Sequence, residues 1–330
     1  MAQQRINWVD SAKGFGILCV IMGHTHVPMD VHLFIYSFHM PLFFLLSGIF
    51  LLKKQTTFKD ELSRKARTLL WPYLVFNFLL LLFFDFLLPM VKGAGVNWQH
   101  VQSTLWGIVT SDRHQSWLWF LPCLFVAEML LVACSRVTRH RVGIGAVLMA
   151  LGCLLNHFWG KPLPMSADNV LIAAGFIAAG IGFRDHPLPS KWYTLLLLPV
   201  FYAVSFVLSV ESTKGKGIEM YDCRYGNYIY FLFAAFSAIL FVLLWFRKYA
   251  DVKPLCWLGR NSLLIYCIHT VILQIPYAVE KRMPVLLFDL ELQAFLFSLL
   301  STLFVCLVTI PLAYVVNRYT PWMLGRFVKK

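Results

Sequence analysis

Long apolar runs, interrupted at intervals by short polar or basic stretches, recur along the chain from residue 14 to residue 317. Runs of this length suit α-helices that cross the ~30 Å hydrocarbon core of a bilayer, where each backbone N–H and C=O has to be satisfied within its own segment. The pattern predicts helices over 14–28, 33–52, 69–90, 117–134, 143–158, 168–183, 191–209, 228–246, 261–279 and 292–317, about ten in all. Several fall short of the ~20 residues of an ideal span, as expected of helices that end at a polar cavity. The fold class is therefore all-α, a polytopic integral membrane protein. No stretch of comparable length is left for a soluble domain, so 1–330 reads as a single membrane domain. Neither a direct nor an inverted repeat is visible.

The basic residues lie between the runs. Assigned alternately to two sides, 21 of the 29 Lys and Arg residues fall on one side and 8 on the other. The positive-inside rule then predicts both termini in the cytoplasm. Composition agrees with the span pattern: 59% of residues are hydrophobic and 14% charged, against ~25% charged in a soluble domain. A soluble enzyme and a disordered chain are excluded. The net charge of +13 is spread between helices and forms no groove-binding face, so no nucleic-acid partner is expected. The eight cysteines include no CxxC pair and lie mostly inside the runs, which points to packing and not to a zinc or disulfide framework. No small-residue cleavage site follows the first run, which reads as a retained span.

Ionisable side chains within or beside spans are costly, and each is a candidate for function. Lys13 and His24 are eleven residues apart, three helical turns plus ~20°, so they share a face with a rise of ~16 Å between them. Asp10 lies one turn before Lys13. Interfacial anchoring is the alternative for both charges, and a satisfied helix-end histidine the alternative for His24. The second run contains Ser37-Phe38-His39-Met40-Pro41 and is antiparallel to the first across a short turn, so the His24 and His39 imidazoles are expected to meet as a general-base pair. His26 and His32 fall in the turn. Glu128, on an apolar helix, requires an internal partner, a histidine or arginine. Tyr266 and His269 share a helix face three residues apart, as cavity groups or as a structural histidine. Arg64, Lys65 and Arg67 either satisfy the positive-inside rule or attract a phosphorylated ligand. The connection over 210–227 is dense in polar and aromatic groups, suiting a binding loop or an ordinary solvated one. No carboxylate or cysteine spacing supports a metal site, and neither a P-loop nor a dinucleotide fingerprint is present.

These residues, in this order, resemble membrane acyltransferase family 3, and more closely its sugar O-acetyltransferase, fucose 4-O-acetylase-like branch. The resemblance spans nearly the whole chain. Its most specific element is an Arg/Lys-X10-His signature, here Lys13 to His24; the others are the Ser37 to Phe44 run through Ser47-Gly48, Arg67 to Pro72-Tyr73, Trp119-Phe120-Leu121, and Gly259-Arg260-Asn261-Ser262 to Tyr266 and His269. It implies an enzyme of the bacterial inner membrane that moves an acetyl group from cytoplasmic acetyl-CoA to a hydroxyl of a cell-surface glycan or its lipid-linked precursor. The lipid bilayer is its surroundings, and no metal is expected. His24 would serve as base or acyl carrier, with His39 orienting it or relaying a proton. Lys13, Arg64, Lys65 and Arg67 would hold CoA phosphates, and Asp10, Glu128, Tyr266 and His269 would line the cavity. Lysine stands where many members have arginine, which loses the planar fork for phosphate. The competing class is a secondary transporter or glycan exporter using the histidines as a proton path.

Overall fold

The computed structural model describes residues 6–52, 56–112, 118–159, 163, 166–189, 191–249, 252–282 and 291–327. Trp117, the expected start of the fourth run, and the cations Arg5, Lys53, Lys54, Arg113, Lys161, Lys329 and Lys330 lie outside them. The helices are α1 (Asn7–Gly23), α2 (Met29–Tyr36), α3 (His39–Gly48), α4 (Phe58–Val91), α5 (Trp98–Thr110), α6 (Phe120–Val137), α7 (Arg141–Trp159), α8 (Ala167–Asp185), α9 (Trp192–Ser212), α10 (Tyr228–Tyr249), α11 (Lys253–Arg260), α12 (Ser262–Ile272), α13 (Gln274–Glu280) and α14 (Glu291–Tyr319). Among the described residues no strand forms, only an isolated bridge between Glu219 and Arg224. Among the described residues nine helical segments are long and apolar enough to cross a membrane, with α2–α3 and α12–α13 each counted as one. The 17-residue α1 is a further apolar helix, ~26 Å long. The protein is an all-α polytopic membrane protein.

Several boundaries differ from the sequence pattern; the helix of the third run, for one, begins at Phe58 and not at 69. The first helix begins at Asn7 and not at 14, because Val9, Ser11 and Ala12 are fully buried in protein around the two charges. The second run is broken at Ser37-Phe38 and the ninth at Leu273, each into two helices, and a further short helix, α11, precedes the ninth run across Asn261. The segment read as the connection 91–116 contains α5, an amphipathic helix capped by Asn97, whose side chain accepts the His100 N–H at 3.2 Å.

Contacts divide the chain into two compact units. The first comprises Met1–Leu46 and Phe183–Ala313. Its centre is α1, whose Ile17, Val20 and Ile21 pack with Leu258, Ile265, Ile272, Leu273 and Val305. α1 and α11 cross backbone to backbone: a Cβ on Gly14 would lie 2.0 Å from the Leu255 carbonyl oxygen, and one on Gly259 would lie 1.8 Å from that of Asp10. Only residues without a Cβ allow that approach. Beside the crossing Arg260 Nε donates to Asp10 at 3.1 Å and its Nη2 to Asn7 Oδ1 at 3.2 Å.

The second unit comprises Ser47–Gly182 and Tyr314–Lys330. Its longest helix, α4, has 34 residues and widens into π turns at Ala66–Leu70 and Leu82–Leu87. Each π turn ends within two residues of a proline, Pro72 or Pro89, whose ring would clash with the carbonyl four residues earlier in a regular helix. α7 and α8 meet through Gly145, Gly152 and Gly175 against Ala178, Ile172 and Met149, the small-residue contact favoured within membranes.

Candidate active site

The histidines gather at one end of α1 in the first unit. His24 caps the helix, where the last carbonyls have no intrahelical donor. Two tyrosines supply one: Tyr36 OH donates to Gly23 O at 3.3 Å, and Tyr277 OH donates to His24 O. On the following turn the His26 Nδ1–Glu280 Oε2 pair at 2.7 Å ties the chain to the end of α13. The backbone that presents His24 is therefore held by α2 and α13 together.

The ring that touches His24 is that of His269, edge to face with centroids 4.8 Å apart. The expected His24–His39 ring contact does not form. The break at Ser37-Phe38 turns His39 toward Tyr36, 4.8 Å between centroids, with only electrostatic reach to His24. His39 and His269 are buried, whereas His24 is exposed.

One hydrogen-bond pattern recurs in all three. Nδ1 of His24 lies 2.9 Å from Val20 O, Nδ1 of His39 lies 2.8 Å from Ile35 O, and Nδ1 of His269 lies 2.8 Å from Tyr266 O and 3.2 Å from Ile265 O. A carbonyl oxygen only accepts, so each neutral imidazole carries its hydrogen on Nδ1 and leaves Nε2 as a lone-pair acceptor. His269 Nε2 is buried with no hydrogen-bond partner among the described residues. Such an orphan is expensive to bury and marks a place where a ligand or water belongs.

The connection between α9 and α10 folds as a compact hairpin over α2. The Glu219 and Arg224 backbones exchange hydrogen bonds at 2.8 and 2.9 Å, while the Arg224 guanidinium reaches Glu219 at 2.9 Å and Asp222 at 2.7 Å. Gly217, with φ +75°, seats against Leu33 where a Cβ would lie 2.0 Å from Cδ2. Burial, reinforced by neighbouring Asp222, raises the Glu219 carboxyl above its ordinary range, with Arg224 opposing. Beneath the hairpin His32 stacks on Tyr36 at 3.9 Å.

The other sequence-derived candidates are distributed between both units. In the first, Lys13 is half-buried inside α1 and not at its start, Asp10 is paired with Arg260, and Tyr266 sits one turn before His269 with rings 6.2 Å apart. In the second, Lys65 Nζ donates to Glu128 Oε1 at 2.6 Å, so the partner of Glu128 is a lysine and not a histidine or arginine. Arg64 is held by Glu61, Nε to Oε2 at 3.1 Å, and Arg67 is exposed. Tyr36, Tyr277 and Glu280 went unnoticed in the sequence, where tyrosines near a membrane interface are common and carry no marker of a carbonyl partner.

Within a multi-pass helical protein, the first unit thus brings together imidazole acceptors, two of them buried, at a helix end held by tyrosines, groups that can take up and return a proton. A family model described as an acyltransferase domain, that of acyltransferase family 3, matches residues 6–318. The chain belongs to this family and is a membrane acyltransferase. No curated protein and no solved structure matches it.

Proposed function

We propose that this acyltransferase belongs to the sugar O-acetyltransferase, fucose 4-O-acetylase-like branch, in a bacterial inner membrane with both termini in the cytoplasm. It takes an acetyl group from cytoplasmic acetyl-CoA and esterifies a hydroxyl of a cell-surface glycan or its lipid-linked precursor. The observation that carries this reading is the edge-to-face contact of His24 with the buried His269 ring, whose Nε2 has no hydrogen-bond partner among the described residues.

In this scheme the acceptor hydroxyl gives its proton to His24 Nε2 as its oxygen attacks the thioester carbonyl; the C–S bond then breaks, and the departing CoA thiolate takes that proton back. If His24 instead attacks first, it holds the acetyl group transiently and passes it to the acceptor. His269 Nε2 offers a second acceptor for the incoming hydroxyl, and His39 supports the cluster through Tyr36. Lys13, ~16 Å along α1 from His24, binds a CoA phosphate as a point charge, and the extended pantetheine arm covers that distance. In the basic segment of the second unit Arg64 and Lys65 already hold carboxylates, while Arg67 is exposed.

The test is purified protein with radiolabelled acetyl-CoA and a set of candidate glycans. Label in glycan, abolished by His24→Ala with the variant still folded in the membrane, is the expected result. Absence of CoA binding together with glycan flux in vesicles overturns the reading in favour of transport.

A further inference from the structure

Asp85 and His100 of the second unit have no part in the chemistry above. Asp85 lies in the apolar stretch Leu79–Leu88, only 8% exposed. The π turn at Leu82–Leu87 that precedes Pro89 contains it, and such a turn shifts side-chain direction relative to a regular helix. Its Oδ1 accepts from His100 Nδ1 at 2.8 Å, and Thr104 Oγ1 is 3.4 Å from the same nitrogen. Two bonds hold α5 in place for this pairing: the Asn97 cap on His100 N–H and Tyr73 OH to Ile108 O at 2.8 Å. His100 gives its Nδ1 hydrogen to the carboxylate, so in the neutral form of the ring the lone pair lies on Nε2, and the side chain is 58% exposed.

These groups open on a cleft of about 250 Å³ walled by Phe84 and Pro89 on its apolar side and by Asp85, Lys92, Asn97 and His100 on its polar side. The volume is below the ~300–1,000 Å³ of sites for drug-sized ligands, which suits a single small ring. A buried carboxylate discourages an anion. One carboxylate beside an ammonium discourages a cation, and two ligating groups are too few for a metal. What matches carboxylate and imidazole acceptors, an ammonium donor, an amide and an apolar wall is a neutral ring with hydroxyls at its edge and C–H groups on its face. We propose that this cleft is a binding subsite for one neutral pyranose residue, oriented by the Asp85–His100 pair.

The site lies within the second unit alone, and its occupancy does not require acetyl transfer at His24. The full chain in detergent is examined by saturation-transfer difference NMR with the methyl glycosides of glucose, galactose, fucose and N-acetylglucosamine. At least one sugar is expected to show ring-proton transfer. Lys92→Gln, at the exposed rim where folding is untouched, and Asp85→Asn should each weaken that binding about fivefold or more, the scale of one lost hydrogen bond. No transfer to any of the four, unchanged binding in both variants, or tighter binding of inorganic phosphate overturns the proposal. An enzyme that binds sugar here yet transfers no acetyl group would instead refute the proposed function and leave this site standing.

Discussion

The Lys65–Glu128 pair makes a prediction with an unusual sign. The lysine side chain is 13% exposed and the glutamate 1%, the bond is 2.6 Å, and the second carboxylate oxygen is buried with no partner among the described residues. Taking both charges out of water is expensive, and the orphan oxygen means the attraction does not offset the whole cost. Removing one partner strands the other charge, at ~3–5 kcal/mol, or on the order of a hundred- to several thousandfold in the folded-to-unfolded ratio. Replacing both by apolar residues of similar shape removes both the attraction and the desolvation penalty, and so should fall within ~1 kcal/mol of the native protein or exceed it. Lys65→Met and Glu128→Gln should therefore each lower the unfolding midpoint by ~6 °C or more, and the Lys65→Met/Glu128→Leu double variant should restore it. A thiol-reactive fluorophore reads the transition, because Cys19, Cys123, Cys256 and Cys267 are buried and unbridged until the protein opens. A double variant as unstable as the sum of the two singles would refute the reasoning, since it would mean that the pair contributes net stability.

Tyr277→Phe should leave the protein folded but reduce acetyl transfer ~5-fold, because one charge-free hydrogen bond of ~1 kcal/mol holds the His24 carbonyl; unchanged turnover in the transfer assay would show that α13 does not position the ring. Gly259→Ala gains ~1 kcal/mol of helix propensity yet places a carbon 1.8 Å from Asp10 O, so α11 must shift. Net loss of thermal stability and weaker cross-linking of cysteines placed on α1 and α11 are expected, and a stabilised variant would contradict the crossing. For Glu219 the raised carboxyl means the folded hairpin binds a proton more readily than the unfolded chain does. Hairpin stability should fall as pH rises from the unfolded glutamate value of ~4.5 through the raised folded one. Exchange protection of the Glu219 and Arg224 amides, corrected for intrinsic rates, should follow that slope and lose it in Glu219→Gln; a slope persisting in the variant assigns it elsewhere.

Spans were legible wherever lipid is the solvent, since a run of apolar residues is then a requirement of length. Legibility failed where protein takes the place of lipid. The first turns of α1 hide Asp10 and Lys13 among fully buried Val9, Ser11 and Ala12, and a hydropathy pattern reads that stretch as polar. It failed again at α5, where Trp98, Trp106 and Val109 are exposed on an amphipathic helix too mixed to look like a span. In the site, His24 and His269 stood out as polar groups in apolar runs. Their contact did not, because chain proximity favoured His39, and it takes the helix break at Asn261, after the crossing of α11, to set α12 against α1. Glu128 declared its need for a partner, and nothing in a one-dimensional pattern could select Lys65.

The shared placement of hydrogen on Nδ1 in His24, His39 and His269 has a consequence for the direction of traffic. A histidine conducts a proton when one nitrogen receives it and the other releases it. Here the second nitrogen of each of these three rings is turned onto a peptide carbonyl three or four residues earlier in the chain, which has no use for a proton. Each ring must take up and return its proton through the same atom, Nε2, so the cluster acts as a set of terminal stations and not as a wire through the membrane. A base that borrows a proton and gives it back suits an acyl transfer, whereas a conduit that couples transport to a proton gradient would require the rings to let go at the far side.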